Sequence, residues 1–185
     1  MFQKIIPLTW QDQVSLYKKA LDGDSHAALH LVKRLTPKAH AVAWRILGSS
    51  DDAEDILQEA FIKLFKSSQF EGGSSIDTYF YKIVTRLCFD YLKIRHPHLI
   101  EALDDAVVDG VDVCLEVQQS SLGMQEAIQL LSPRQRMAIA LWAYKDADVG
   151  EIAAVLDLDN NAAHQLLHRA KLNLKKILEG HTHVR

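Results

Sequence analysis

The 185-residue chain is predicted to be all-α: two small helical domains joined by an acidic linker, the C-terminal one a helix-turn-helix. Three observations carry that prediction. Glycine and proline are scarce, 8 and 4 residues, against abundant Ala, Leu, Lys and acids, a balance that favours helix over sheet. Residues that start and stop helices recur along the chain, while the alternation of a half-buried strand is nearly absent. Charge is segregated: residues 97–131 hold seven acids and no Lys or Arg, between segments 63–96 and 132–178 in which bases outnumber acids.

Each element has its own signal. The first helix runs from Trp10 to Leu21 and stops at Gly23. The second begins after Asp24, is bent or broken at Pro37, and ends before Gly48, where glycine takes the left-handed C-terminal position. Asp51 then reads as an N-cap with Glu54 at the third helical position, a capping box opening a helix that reaches about Lys66. A polar loop, SSQFEGGSS, spans Ser67 to Ser75. The longest helix starts near Ile76 and ends before Pro97, because the residue preceding proline avoids helical geometry. The acidic stretch to about Ser120 has no sustained period and reads as a linker.

Helices resume at 121–131 and at Ser132, where Ser132-Pro133-Arg134-Gln135 combines a serine cap, a first-position proline and a third-position glutamine. Asp148-Val149-Gly150-Glu151 opens another helix, and a last one runs from Asn160 to Gly180. The domains expected are therefore 1–96, a linker 97–120, a helix-turn-helix unit 121–180, and a tail 181–185.

Composition narrows the function classes. At 48% hydrophobic and 24% charged the chain is globular, not disordered. Cys88 and Cys114 make no disulfide framework, which suits a reducing compartment. The start MFQKIIPLTW has no signal-peptide pattern, and no stretch reaches the ~20 apolar residues of a membrane span. A soluble, cytoplasmic protein without membrane insertion is expected. The nine histidines lack the paired spacing of a structural zinc site, and no Ser-His-Asp, GxSxG or P-loop pattern occurs, so neither metal nor cofactor is expected. One enzyme reading survives: DDAED at 51–55 resembles the DDxxD element of isoprenoid synthases, but no second acidic motif accompanies it.

In the C-terminal unit, Ile152, Ala153 and Leu156 face Ala163, Leu167 and Ala170 across the turn Asp157-Leu158-Asp159. Asp157 occupies a position where many such turns carry glycine, and Asp tolerates a left-handed backbone. As a DNA reader, the second helix would present Asn160, Asn161, His164, Gln165 and His168 to bases, with Arg169 and Lys171 towards phosphates. A helical hairpin without a ligand fits the same spacing. Along 76–95, Phe80, Ile83, Val84, Leu87 and Tyr91 or Leu92 form a buried face. The stripe Tyr79, Lys82, Arg86, Phe89 and Lys93 suits either a platform for unstacked bases or core aromatics beside a solvated basic face. Cys88 reads as a core residue.

The stretches DDAEDILQEAFIKLF, DTYFYKIVTRLCFDYLK and LSPRQRMAIALW…VGEIAAVLDL…LLHRAKLNLKKIL occur in that order over nearly the whole chain. Together they resemble bacterial RNA polymerase sigma factors of the extracytoplasmic-function group. The resemblance implies a non-enzymatic subunit that binds core polymerase, recognises promoter DNA and helps melt it. By position, Asp52, Asp55, Gln58, Glu59 and Ile62 would dock on the clamp helices of the largest polymerase subunit. Phe70, Tyr79, Lys82, Arg86, Phe89 and Lys93 would take the melted minus-ten element. The helix from Asn160 to Lys171 would read the minus-thirty-five element, the linker would thread towards the active centre, and an anti-sigma factor would be a further partner.

Departures from the family pattern are Tyr79 for a frequent tryptophan, Arg86 for asparagine, His164 for lysine and Leu166 for arginine. They leave room for a sigma-like regulator that binds a protein partner but has lost minus-thirty-five reading. His164 and His168 would make DNA affinity pH-dependent, and a flat response from about pH 6 to 8 would exclude that.

Overall fold

The computed structural model describes residues 10–66, 70, 74–97 and 123–180, and the elements among them are eight helices. These are α1 (Trp10–Leu21), α2 (Ser25–Leu47), α3 (Ser50–Lys66), α4 (Ile76–Arg95), α5 (Met124–Gln129), α6 (Pro133–Tyr144), α7 (Val149–Leu156) and α8 (Asn160–Gly180). Most of the linker and the loop, Cys114, His98, His181 and His183 lie outside the described residues.

The local chemistry of the helix ends follows expectation. Asp24 accepts hydrogen bonds from the backbone N–H groups of His26 and Ala27, and Gly48 ends α2 at φ 83°. Ser75, Ser132 and Asp148 cap α4, α6 and α7 through the N–H groups of Thr78, Gln135 and Glu151. Each such cap satisfies an amide that the first turn leaves open, worth about 1 kcal/mol. Asp157 ends α7 in the left-handed region at φ 55°.

Three expectations need correction. Of the bend or break expected at Pro37, the break does not occur: α2 runs from Ser25 to Leu47. Leu31, Leu35, Ala39, Val42, Ala43 and Ile46 are buried on one face of it, on both sides of the proline. At roughly 1.5–3 kcal/mol for each large apolar side chain, that face outweighs one lost backbone bond. The cap of α3 is Ser49, whose hydroxyl accepts from the Asp52 N–H at 3.2 Å, so Asp51 is already inside the helix and Glu54 lies beyond the third position. In α7, Val155 is buried beside Ile152 and Ala153, whereas Leu156 is only half-buried and turns towards α4.

In the N-terminal half, α1, α3 and α4 gather around α2. Phe80 is fully buried and stacks on Phe61 with ring centroids 4.6 Å apart. The buried Tyr17 hydroxyl donates to the Leu64 carbonyl at 2.8 Å, tying α1 to α3, and burial pushes its phenol up to about 12. Cys88 is fully buried, and burial raises its thiol well above the ordinary range. In the C-terminal half, Ala163, Leu167 and Ala170 of α8 are buried as expected. The two halves share one continuous apolar core: α5 and α6 pack on α2, and α7 packs on α4.

Candidate nucleic-acid interface

On α3, side chains recurring at three and four residues divide the helix into two faces. Ala53, Ile56, Leu57, Ala60 and Leu64 go inward, leaving Asp55, Gln58, Glu59 and Ile62 exposed on the other side. Ile62 is 53% exposed beside carboxylates, an apolar centre with an acidic rim. Glu59 pairs with Lys63 at 3.0 Å along the helix. Asp52 behaves differently. Its half-buried carboxylate accepts a hydrogen bond from the Tyr91 hydroxyl of α4, and this bond, helped by Ser49 and Arg95, holds it below the usual carboxylate range. The same bond raises the Tyr91 phenol. Asp52 is thus partly committed to the fold, while the other four residues face solvent. Among the described residues, no three His, Cys, Asp or Glu side chains come together as metal ligands would.

The α4 stripe splits between core and surface. Arg86 and Lys93 are exposed, and Tyr79, Lys82 and Phe89 are half-buried. Phe70, expected in a DNA-facing loop, is instead 8% exposed and lies between Tyr17 and Tyr79, both with ring centroids at 5.3 Å. Its ring finds two aromatic neighbours in the core that water does not offer. Lys82 pairs with Asp157, the turn residue of the helix-turn-helix.

On α8 the residues Asn160, Asn161, His164, Gln165, His168 and Arg169 are all exposed. The imidazoles of His164 and His168 lie parallel, 6.5 Å apart, one helical turn from each other. Lys171 turns aside, its Nζ 3.5 Å from the centroid of the Trp142 ring. Leu166 is half-buried and lines the cleft facing α4. An apolar residue at that position therefore fills an interface instead of joining the exposed face.

Arg136 and the end of α2 escape sequence reading. Arg136 is 3% exposed, and its guanidinium donates to the carbonyls of Leu131 (2.8 Å), Ile46 (3.4 Å) and Gln129, and to Gln129 Oε1 (2.7 Å). Burial lowers its pKa to about 10. The one sequence signal is its place a turn before Ala140 on the buried face of α6; its partners are too distant along the chain to be read.

Two family descriptions match the chain: sigma-70 region 2 over residues 31–96 and sigma-70 region 4 over 121–174. Among relatives, it is 29% identical to the ECF RNA polymerase sigma factor SigE of Mycolicibacterium smegmatis, over 82% of this chain and 62% of that one. It is 27% identical to the ECF RNA polymerase sigma factor SigW of Bacillus subtilis, over 87% of this chain and 94% of that one. Among solved structures, CnrH in complex with the cytosolic domain of CnrY has the same fold, with a TM-score of 0.69 at 19% identity, covering 91% of this chain and 97% of that one. RpoE of Bartonella quintana, solved with the anti-sigma factor NepR, gives a TM-score of 0.61 at 20% identity, covering 81% and 95%. With regions 2 and 4 both matched, in order, on an all-helical chain, this protein belongs to the extracytoplasmic-function group of sigma-70 family sigma factors.

Proposed function

We propose that this protein binds core RNA polymerase, directs it to a two-part promoter and helps to open the duplex, without catalytic chemistry of its own and in the cytoplasm. The observation that carries the reading is the presence of region 2 and region 4 matches in order in a single chain. In this reading residues 1–96 dock on polymerase and hold the minus-ten element, 97–120 connect, and 121–180 read the minus-thirty-five element.

The exposed α3 residues Asp55, Gln58, Glu59 and Ile62, with Asp52 at the edge, meet the clamp helices of the largest polymerase subunit. Tyr79, Lys82, Arg86, Phe89 and Lys93 of α4 take the separated strand, aromatic faces against bases and cations against phosphates. Phe70 supports Tyr79 from behind. Asn160, Asn161 and Gln165 at the start of α8 suit adenine edges in a major groove, with Arg169 and Lys171 on the backbone. An anti-sigma factor is the natural third partner, as for the fold relative solved with NepR.

The test is run-off transcription with added core polymerase and a matched promoter. Double reversal, Asp55→Lys with Glu59→Lys, should abolish holoenzyme assembly with an unchanged melting temperature; unchanged core binding refutes the docking face. A second reading, a sigma-like regulator without minus-thirty-five reading, is favoured by Lys171 being engaged with Trp142. It predicts core binding with no promoter protection upstream.

A further inference from the structure

The exposed face of α8 is short of positive charge. From Asn160 to His168 the helix holds no Lys or Arg. Arg169 follows, and Lys171 is engaged with the Trp142 ring. What this face carries instead is a pair of histidines one helical turn apart. His164 and His168 are both exposed, their imidazole planes lie within 11° of parallel, and their centroids are 6.5 Å apart. Among the described residues neither ring has a hydrogen-bond or ion-pair partner. Both imidazoles therefore keep their nitrogens available on one side of one rigid element.

Two imidazoles at i and i+4 make a bidentate chelate, because the helix stacks the side chains of those positions on one face. Neutral imidazole suits borderline divalent cations such as Zn²⁺, Ni²⁺ and Cu²⁺. Two Zn–N bonds of ~2.0–2.1 Å in tetrahedral geometry set the ring centroids about 5 Å apart. The 6.5 Å separation on α8 is within reach of that value, since exposed side chains turn freely between rotamers. No third His, Cys, Asp or Glu of the described residues joins the pair. Water would fill the remaining positions, which makes an exchangeable surface ion and not a closed structural site.

We propose that His164 and His168 bind a divalent transition-metal ion of the Zn²⁺ class, and that the bound ion supplies the positive charge the start of α8 lacks. The ion site stands on the geometry of the pair alone. Its role at DNA rests on the assignment of α8 to a major groove. There a dication on the exposed face adds to the attraction of phosphates, which carries much of the affinity whatever the sequence. His26 and His30 of α2 share the spacing and the exposure on the other half of the chain, and they provide the internal comparison.

The experiment titrates Zn²⁺ into the full chain at neutral pH, on a Cys114→Ser background that removes a competing thiol. Calorimetry reads the affinity, and NMR of the imidazole rings reads the position. The His164 and His168 signals should shift together at one site. His164→Gln or His168→Gln should weaken binding at least about tenfold, because the remaining imidazole no longer chelates. His26→Gln with His30→Gln should leave binding unchanged, and circular dichroism confirms that every variant folds. Zn²⁺ that does not bind, or binding that survives loss of the α8 pair, overturns the site. A pool of random-sequence duplexes is then bound with Zn²⁺ and with a chelator. Zn²⁺ should tighten binding about tenfold at ~0.1 M salt and steepen the salt dependence by about one phosphate contact, with neither effect in the His164→Gln, His168→Gln variant. Unchanged duplex affinity, where Arg169→Ala still weakens it, overturns the role of the ion at DNA. Duplex affinity indifferent to Arg169→Ala and to Zn²⁺ alike overturns the assignment of α8, and the ion site is then decided by the titration.

Discussion

Replacing Arg136 by alanine removes a buried cation that four acceptors share. Three are backbone carbonyls and one is the Gln129 side chain; the bonds to Leu131 and Ile46 are buried and the two to Gln129 are part-buried. Hydrogen bonds from a charged donor contribute roughly 1.5–3 kcal/mol each, and orphaned buried acceptors cost about 1–3 kcal/mol apiece. Against that stands the desolvation of the guanidinium. Its fall to about 10 corresponds to a penalty on the order of 3 kcal/mol, which the alanine variant recovers. With the four bonds taken at their lower value, the balance is a net loss of at least about 3 kcal/mol, similar to other broken buried charge contacts. Because the Ile46 bond joins the two halves, the loss should also uncouple them. Urea unfolding should change from one transition to two, followed by the emission of Trp44 in one half and Trp142 in the other. Arg136→Lys should recover only part, since an ammonium cannot fork to several carbonyls. A loss below about 1 kcal/mol with a single transition would refute this account of the buried arginine.

Tyr91→Phe should let the Asp52 carboxyl rise back towards the ordinary range, read by NMR titration. Asp52 is lowered in the fold, so its contribution is present at neutral pH and lost as pH falls through its folded value; the variant should have a flatter acid limb. Tyr17 is raised to about 12, so the stability from keeping its phenol neutral is complete below pH 10 and lost as pH climbs towards 12. Phenolate absorbance and melting curves over that range check it, and Tyr17→Phe should weaken the dependence, leaving the part that the raised phenols of Tyr81 and Tyr91 contribute. Ile62→Ser should change stability by less than about 0.5 kcal/mol, since the side chain is half exposed, yet weaken core polymerase binding measurably. An unchanged affinity would remove Ile62 from the docking face.

What the sequence disclosed, it disclosed through local chemistry. The caps at Asp24, Ser132 and Asp148 and the left-handed Gly48 and Asp157 each act within a few residues, so they can be read from a short window. The run Ser49-Ser50-Asp51-Asp52 offers four neighbouring cap candidates, and which one caps depends on how α2 delivers the chain to α3. Val155 and Leu156 are both apolar and both line the cleft against α4, and only the tertiary packing decides that Val155 is buried and Leu156 half-buried. The exposed α3 stripe of Asp55, Gln58, Glu59 and Ile62 was legible because exposure follows helical period. The seam between the two halves was not, since Gln125 and Trp44 or Arg136 and Ile46 are brought together only by the tertiary fold.

Asp157 joins two demands that a protein could have kept apart. Glycine would adopt φ 55° at less conformational cost, by about 1 kcal/mol, and would leave the turn itself intact. It would also leave Lys82 without its acid. A change of one residue towards the commoner turn would therefore ease the backbone and free the basic face in a single step. The aspartate ties a slightly strained corner of the backbone to the pairing of Lys82.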